Sequence, residues 1–259
     1  LGLLPERALL NDINPHPINF YRWLKRGLRV TTPMRNEEQV YYANRARFNR
    51  LIKEGKGESQ EAAELFYYLN KTGYNGLCRF NRSGEFNVPF GQYKTINYET
   101  DFSAYAHVFA NWEFTIGDFE SVPVEPGDVL YADPPYDVEF RNYAKEGFTW
   151  RDQVRLAQWL ARHPGPVILS NQATDRIVEL YRDLGFTLLF LPAPRKISCN
   201  GDRTPATEVL AIKGCDVAAA REAWRRQRLA ELRDVPVGRP RLPLFATFHP
   251  TGEVSEGRP

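Results

Sequence analysis

Gly127-Asp-Val-Leu-Tyr-Ala-Asp-Pro-Pro-Tyr136 is the stretch on which the fold turns. Val129, Leu130 and Tyr131 form a short apolar, β-favouring run led in by Pro126-Gly127, which predicts a buried strand. Pro134 and Pro135 cannot extend it, because neither has an N–H to donate to a ladder. The chain therefore leaves the sheet at Asp133, with a carboxylate, a rigid turn and the Tyr136 ring at the strand's carboxyl end. In an open α/β sheet that end is where ligands bind. Taken alone, the tetrapeptide is equally well an ordinary Asp-Pro turn.

On either side of this stretch, strands alternate with helices. Trp112 to Ile116 predicts a strand ending at Gly117-Asp118-Phe119, where an acid beside an aromatic suits a purine amine and ring face. Arg7 to Asp12 predicts another strand with an acid at its tip. Asp12 there either accepts hydrogen bonds from ribose hydroxyls, as such an acid does in nucleotide-binding units, or caps a helix over Asn14–Leu28. For Asp12 alone the cap is the simpler reading. Downstream, Trp150–Arg162 is amphipathic and helical, Val167–Leu169 is a strand ending in Ser170-Asn171, and a helix runs from about Thr174 to Leu184. Phe186–Leu191 and Glu208–Ile212 are further strands, with the polar loop Arg195–Thr204 between them. The alternation predicts a largely parallel sheet whose last two strands form an antiparallel edge.

Between these strands the character changes. Glu37–Leu51 and Gln60–Asn70 have helical apolar spacing, which makes the region from Thr31 a helical insertion. Lys71 to Lys94 follows, in which glycines and asparagines punctuate short aromatic runs; it predicts a β-hairpin closed near Asn81–Gly84. Lys71, Arg79, Arg82 and Lys94 interleave with Tyr74, Phe80, Phe86, Phe90 and Tyr93. Cations for phosphate and guanine, with rings to replace stacking, suit nucleic acid. Composition alone fits a self-packed aromatic loop better.

The 259 residues, 42% hydrophobic, are enough to bury a substantial core. The formal net charge is only +2, so any attraction for a polyanion must come from local patches. Cys78, Cys199 and Cys215 lack CxxC spacing and the four histidines are scattered, which argues against a disulfide framework or a zinc site and fits a reducing interior. No stretch reads as a membrane span or a signal peptide.

Several stretches together resemble the Dam-type, class alpha, DNA adenine-N6 methyltransferases. They are Leu10-Asn-Asp-Ile-Asn14, Tyr68-Leu-Asn70, Gly73-Tyr-Asn-Gly-Leu-Cys-Arg79, Gly84-Glu-Phe-Asn-Val-Pro-Phe-Gly91, Asp133-Pro-Pro-Tyr136, Leu169-Ser-Asn171 and Ile197-Ser-Cys-Asn-Gly201. The resemblance implies a doubly wound, mostly parallel Rossmann-like α/β sheet with a helical DNA-recognition insertion carrying a β-hairpin. It divides the chain into a catalytic domain of residues 1–30 and 105–214, a recognition insertion of residues 31–104, and an Arg- and Pro-rich tail of residues 215–259. It also implies S-adenosylmethionine as methyl donor, no metal, double-stranded DNA as partner, a monomer, and a prokaryotic cytoplasmic setting at the nucleoid.

Residue by residue, the resemblance makes Asp133, Pro134, Pro135 and Tyr136 catalytic, with Asp133 also beside the donor. Asp12 and Ile13 would serve the donor's ribose, and Asp118 and Phe119 its adenine. Tyr74 would intercalate, Asn75 would support the orphaned thymine, and Arg79 would read guanine, which points to GATC. Leu77, Pro89 and Tyr93 would make further base contacts, and Lys71 a phosphate contact, while Asn200 and Arg203 would border the DNA or target-base pocket. The family also carries a Lys-Trp-x-Gly-Gly-Lys segment and a Phe-x-Gly-x-Gly loop upstream of the ribose acid, and this sequence has neither. The expectation is a natural start ~40 residues earlier, the size of one strand–loop–helix unit with a leading segment. Two other readings stay open: an N-methyltransferase acting on RNA or protein, and a GATC-binding remnant without catalysis.

Overall fold

The computed structural model describes residues 5–137, 147–193, 206–216, 218, 219 and 222. The predicted loop Arg195–Thr204, with Asn200 and Arg203, lies outside the described residues, as does nearly all of the Arg- and Pro-rich tail of residues 215–259. The described chain divides into two compact units at Val122/Pro123.

In the first unit β1 (Ala8–Asp12) pairs in parallel with β2 (Trp112–Ile116), placing Asp12 opposite Ile116. After β1 the chain enters α1 (Pro15–Lys25), which starts with Pro at its first position, where a missing N–H costs no helical bond. The cap is Asn14, whose side chain accepts from the His16 N–H; Asp12 lies two residues outside the helix. Ile18, Phe20 and Leu24 turn inward from α1, which packs on α3 (Gln60–Thr72), and α3 packs in turn on α2 (Glu38–Lys53). α3 is buried along nearly its whole length, including the carboxylate of Glu64. Burial would raise the Glu64 pKa. Bonds from Gln60 and from the amides and hydroxyls of Thr31 and Thr32 outweigh that and hold it below the usual value. A six-residue helix, α4 (Ser103–Val108), completes this aromatic-rich core.

The second unit holds β3 (Leu130–Ala132), α5 (Trp150–Arg162), β4 (Val167–Gln172), α6 (Asp175–Asp183), β5 (Thr187–Ala193) and β6 (Ala206–Lys213). Their sheet runs β3-β4-β6-β5, with β3 parallel to β4 and β6 antiparallel to both of its neighbours. α5 begins with a capping box in which Thr149 and Asp152 satisfy each other's backbone. Leu156, Ala157 and Leu160 form its buried stripe.

Three expectations change. The described strands form two sheets, of two and four strands; β5 and β6 are the expected antiparallel pair at one edge, but β6 lies on the inside, antiparallel also to β4. The strand before Asp133 is not buried: Val129 is 68% and Tyr131 61% exposed, and among the described strands β3 pairs with β4 alone, at the edge of its sheet. Lys71–Lys94 folds back through the isolated antiparallel bridges Gly73–Phe90 and Phe80–Phe86, with no continuous ladder. None of the described helices is long and apolar enough to cross a membrane.

Candidate active site

The Pro-Pro turn leaves β3 within reach of β4 and α5. The Ser170 hydroxyl, on β4, donates to Asp133 Oδ1 at 2.6 Å. Asn171, fully buried beside it, accepts from the Asp137 N–H at 2.9 Å and donates to Gln153 Oε1 and to the Tyr181 hydroxyl, each at 3.0 Å. Gln153 Nε2 in turn donates to the Pro135 carbonyl at 2.7 Å. The Asp137 carboxylate accepts from the Thr174 hydroxyl and from both Nε and Nη2 of Arg176, whose guanidinium lies over the Trp150 ring. Both flanks of Tyr136 are therefore held, and burial pushes its phenol pKa up to about 12, so it stays neutral across ordinary pH.

Ser170 and Asn171 were legible only as part of a motif, and Gln153, Asp137 and Arg176 were not singled out from the sequence at all. Gln153 sits in a helical stripe with Leu156, Ala157 and Leu160, where the spacing signals packing. Only the turn above it shows why a carboxamide is there.

In the first unit, Asp12 and Asp118 follow the carboxyl ends of adjacent parallel strands. The Gly117 N–H donates to the Asp12 carbonyl at 3.2 Å, and Asn11 Nδ2 to the Gly117 carbonyl at 2.9 Å, tying the two strand ends together. Asp12 Oδ1 accepts from the Asn14 N–H, and Asp118 Oδ1 from the Glu120 N–H, so each carboxylate is fixed by the amide two residues on. Crowding around the Asp12 carboxylate withdraws water and raises its pKa. Ile13 stands 74% exposed next to it, while Phe119 is half-buried beside Asp118.

The basic and aromatic segment belongs to the same unit. Tyr74, 47% exposed, donates its N–H to the Pro89 carbonyl, and Asn75 takes a left-handed conformation with φ 53°. Asn70 Nδ2 holds the Gly76 carbonyl, and the Tyr93 hydroxyl donates to that of Gly73. A side chain at Gly91 would strike the Tyr93 ring and the Thr72 carbonyl, which is why glycine is needed there. Leu77 and Cys78 pack on the core, and burial pushes the Cys78 thiol up to about 12. Arg79 is exposed; its Nε and Nη2 rest on the side chain and carbonyl of Asn87 at 2.7 and 3.2 Å. Lys71 is half-buried over the Tyr67 ring, and burial lowers its pKa. The structure thus gathers Tyr74, Asn75, Arg79, Pro89 and Tyr93 on one folded-back segment.

Asp12 and Asp118 thus follow the carboxyl ends of two adjacent parallel strands in a mixed α/β protein, the end at which open α/β sheets bind ligands. The D12 class N6 adenine-specific DNA methyltransferase family matches residues 3–196. Among similar proteins, the retron Ec67 DNA adenine methylase of Escherichia coli is 37% identical over 226 residues, spanning 80% of this chain and 75% of that one. The DNA adenine methylase of Vibrio cholerae is 36% identical over 228 residues, 80% of each. The type II methyltransferase M.MjaIII of Methanocaldococcus jannaschii is 33% identical, spanning 76% of each. The chain belongs to the D12 class N6 adenine-specific DNA methyltransferases.

Proposed function

We propose that the protein transfers a methyl group from S-adenosylmethionine to N6 of an adenine flipped out of duplex DNA, within GATC. The observation that carries this reading is the Asp133 carboxylate at the carboxyl end of β3, with one oxygen held by Ser170 and the Pro-Pro turn anchored behind it. Adenine N6 is a poor nucleophile because its lone pair is delocalised into the ring. Asp133 Oδ2 and the Pro134 carbonyl would each accept one N6 hydrogen, drawing the nitrogen toward tetrahedral geometry and steadying the charge that develops on it. Tyr136 offers its ring to the extrahelical base, which must leave the stack for its amine to be reached.

The sulfonium of the donor supplies an electrophilic methyl group. Asp12 and Asp118 suit the rest of that molecule: two fixed carboxylates on neighbouring strand ends, one for the ribose hydroxyls and one, with Phe119, for the adenine. Residues 1–30 and 105–214 would form the catalytic domain and residues 31–104 the recognition insertion, with Tyr74 opening the stack and Arg79 reading guanine. Its fork would have to leave Asn87 to meet O6 and N7, a contact worth ~1–3 kcal/mol of discrimination.

Methyl transfer from labelled S-adenosylmethionine to a GATC duplex, but not to one with the four bases scrambled, is the expected result. Equal labelling of both duplexes would defeat the sequence assignment, and binding without transfer would defeat the catalytic one.

A further inference from the structure

Pro134 and Pro135 have no N–H, so the turn that carries the reacting groups can be anchored only through its carbonyls and its flanking amides. Two buried carboxamides provide those anchors. Gln153, from α5, takes the Pro135 carbonyl; Asn171, from β4, takes the Asp137 N–H. They are bonded to each other, and Asn171 spends its remaining donor on the Tyr181 hydroxyl and accepts also from the Gln172 N–H. Every donor and acceptor of Asn171 is thus engaged within the second unit.

We propose that Gln153 and Asn171 are positioning residues for methyl transfer: clamped from both sides, the backbone around Tyr136 holds the ring and the neighbouring Pro134 carbonyl in the register the reaction needs. This rests on the assignment of Asp133–Tyr136 as the loop that receives the adenine. Position 153 belongs to the buried stripe of α5, and leucine there would leave the Pro135 carbonyl and Asn171 Nδ2 without this partner. A carboxamide is useful there because it reaches a proline carbonyl that no backbone group of α5 can meet. Such a network is rigid when fully satisfied and costly when one member is lost. Displacement of reacting groups by about 1 Å can slow a reaction ~100-fold.

The test uses single-turnover methylation of DNA from a host lacking adenine methylation, with donor and DNA affinities and melting temperature measured alongside. Gln153→Leu should bind both ligands within about twofold of the parent while its transfer rate falls roughly tenfold or more. Gln153→Glu adds a signature that a structural role would not give. Ionised, the new carboxylate only repels the Pro135 carbonyl; protonated, it donates to that carbonyl as the amide did. Its rate relative to the parent should therefore recover as pH falls from 8 to 6. A Gln153→Leu protein with the parent's transfer rate overturns the proposal. So does a Gln153→Glu to parent ratio that is flat with pH, and this second variant decides the matter even where leucine prevents folding. Asp133→Ala separates the two levels. If it still turns over, the loop assignment itself fails; if it is inactive while Gln153→Leu runs at full rate, only the positioning role fails.

Discussion

Asp133 has two oxygens, and Ser170 holds Oδ1; under the proposed function Oδ2 would face the incoming amine. Removing the carboxylate with Asp133→Ala should abolish turnover while DNA binding, measured by gel shift, stays near the parent's. Substantial residual methylation would refute its role. Ser170→Ala should be milder: Asp133 keeps its charge but loses its tether, worth about 1.5–3 kcal/mol for a hydrogen bond to a charged group. A fall of roughly tenfold to hundredfold in kcat, at unchanged KM for donor, is the expected reading. Of these residues the sequence marks Asp133 as the point where the chain leaves a strand, but the tetrapeptide alone reads equally well as a turn, and only the other motifs around it favour a site. Ser170 is visible only within Leu169-Ser-Asn171, and Gln153 is hidden because a lone glutamine in an apolar helical stripe has no signature of its own. Its meaning lies in a proline carbonyl 18 residues upstream.

The start of α1 shows how one element serves two others. Asn14 caps the helix, donates its N–H to Asp12, and points Nδ2 at Cys78 Sγ, 3.6 Å away. Two residues on, His16 stacks on Phe80 with centroids 4.8 Å apart, so Arg79 is flanked by two residues seated on the start of this helix. Burial drives the His16 pKa from 6.5 down to about 4. The folded form holds the ring neutral while the unfolded chain protonates below about 6.5, so the contribution is complete above that pH and drains away as pH falls toward 4. His16→Phe keeps the ring and removes the titration. The parent should lose about 1–3 kcal/mol relative to this variant between pH 7 and pH 4.5 in paired denaturant melts. A pH-independent difference would show that the folded packing leaves the His16 pKa where it is in the unfolded chain. At this scale, strong periodicity was readable: Trp112–Ile116 and Trp150–Arg162 coincide with β2 and α5. The short α4 was not, since six residues carry too little pattern and this helix is held by Phe102, Tyr105 and Phe109 stacking into the core. Nor was the cap, because Asp12 and Asn14 are both good cap residues and only the strand's length decides between them.

For the molecule as a whole, alternation of strands and helices discloses an α/β protein, but strand order lies in pairings distant in sequence. That is why the insertion of β6 between β4 and β5 could not be read in advance. Charge is the other global property, and a formal +2 spread over 259 residues steers DNA weakly. Under the proposed function, local cations such as those on the folded-back segment would supply affinity. Lys71 is half-buried over the Tyr67 ring, whereas Lys94 is exposed. DNA binding should weaken with salt at a modest slope, about −0.9 for each phosphate neutralised. If Lys94 meets a phosphate, Lys94→Ala should reduce that slope by about one and weaken all sequences alike. Arg79→Ala should leave the slope nearly unchanged and relax discrimination at one base pair by ~1–3 kcal/mol. Titrations of matched and single-substituted duplexes across 50–200 mM salt measure both quantities together. The assignment of Arg79 as a base reader falls if its loss instead lowers every affinity equally and flattens the salt slope.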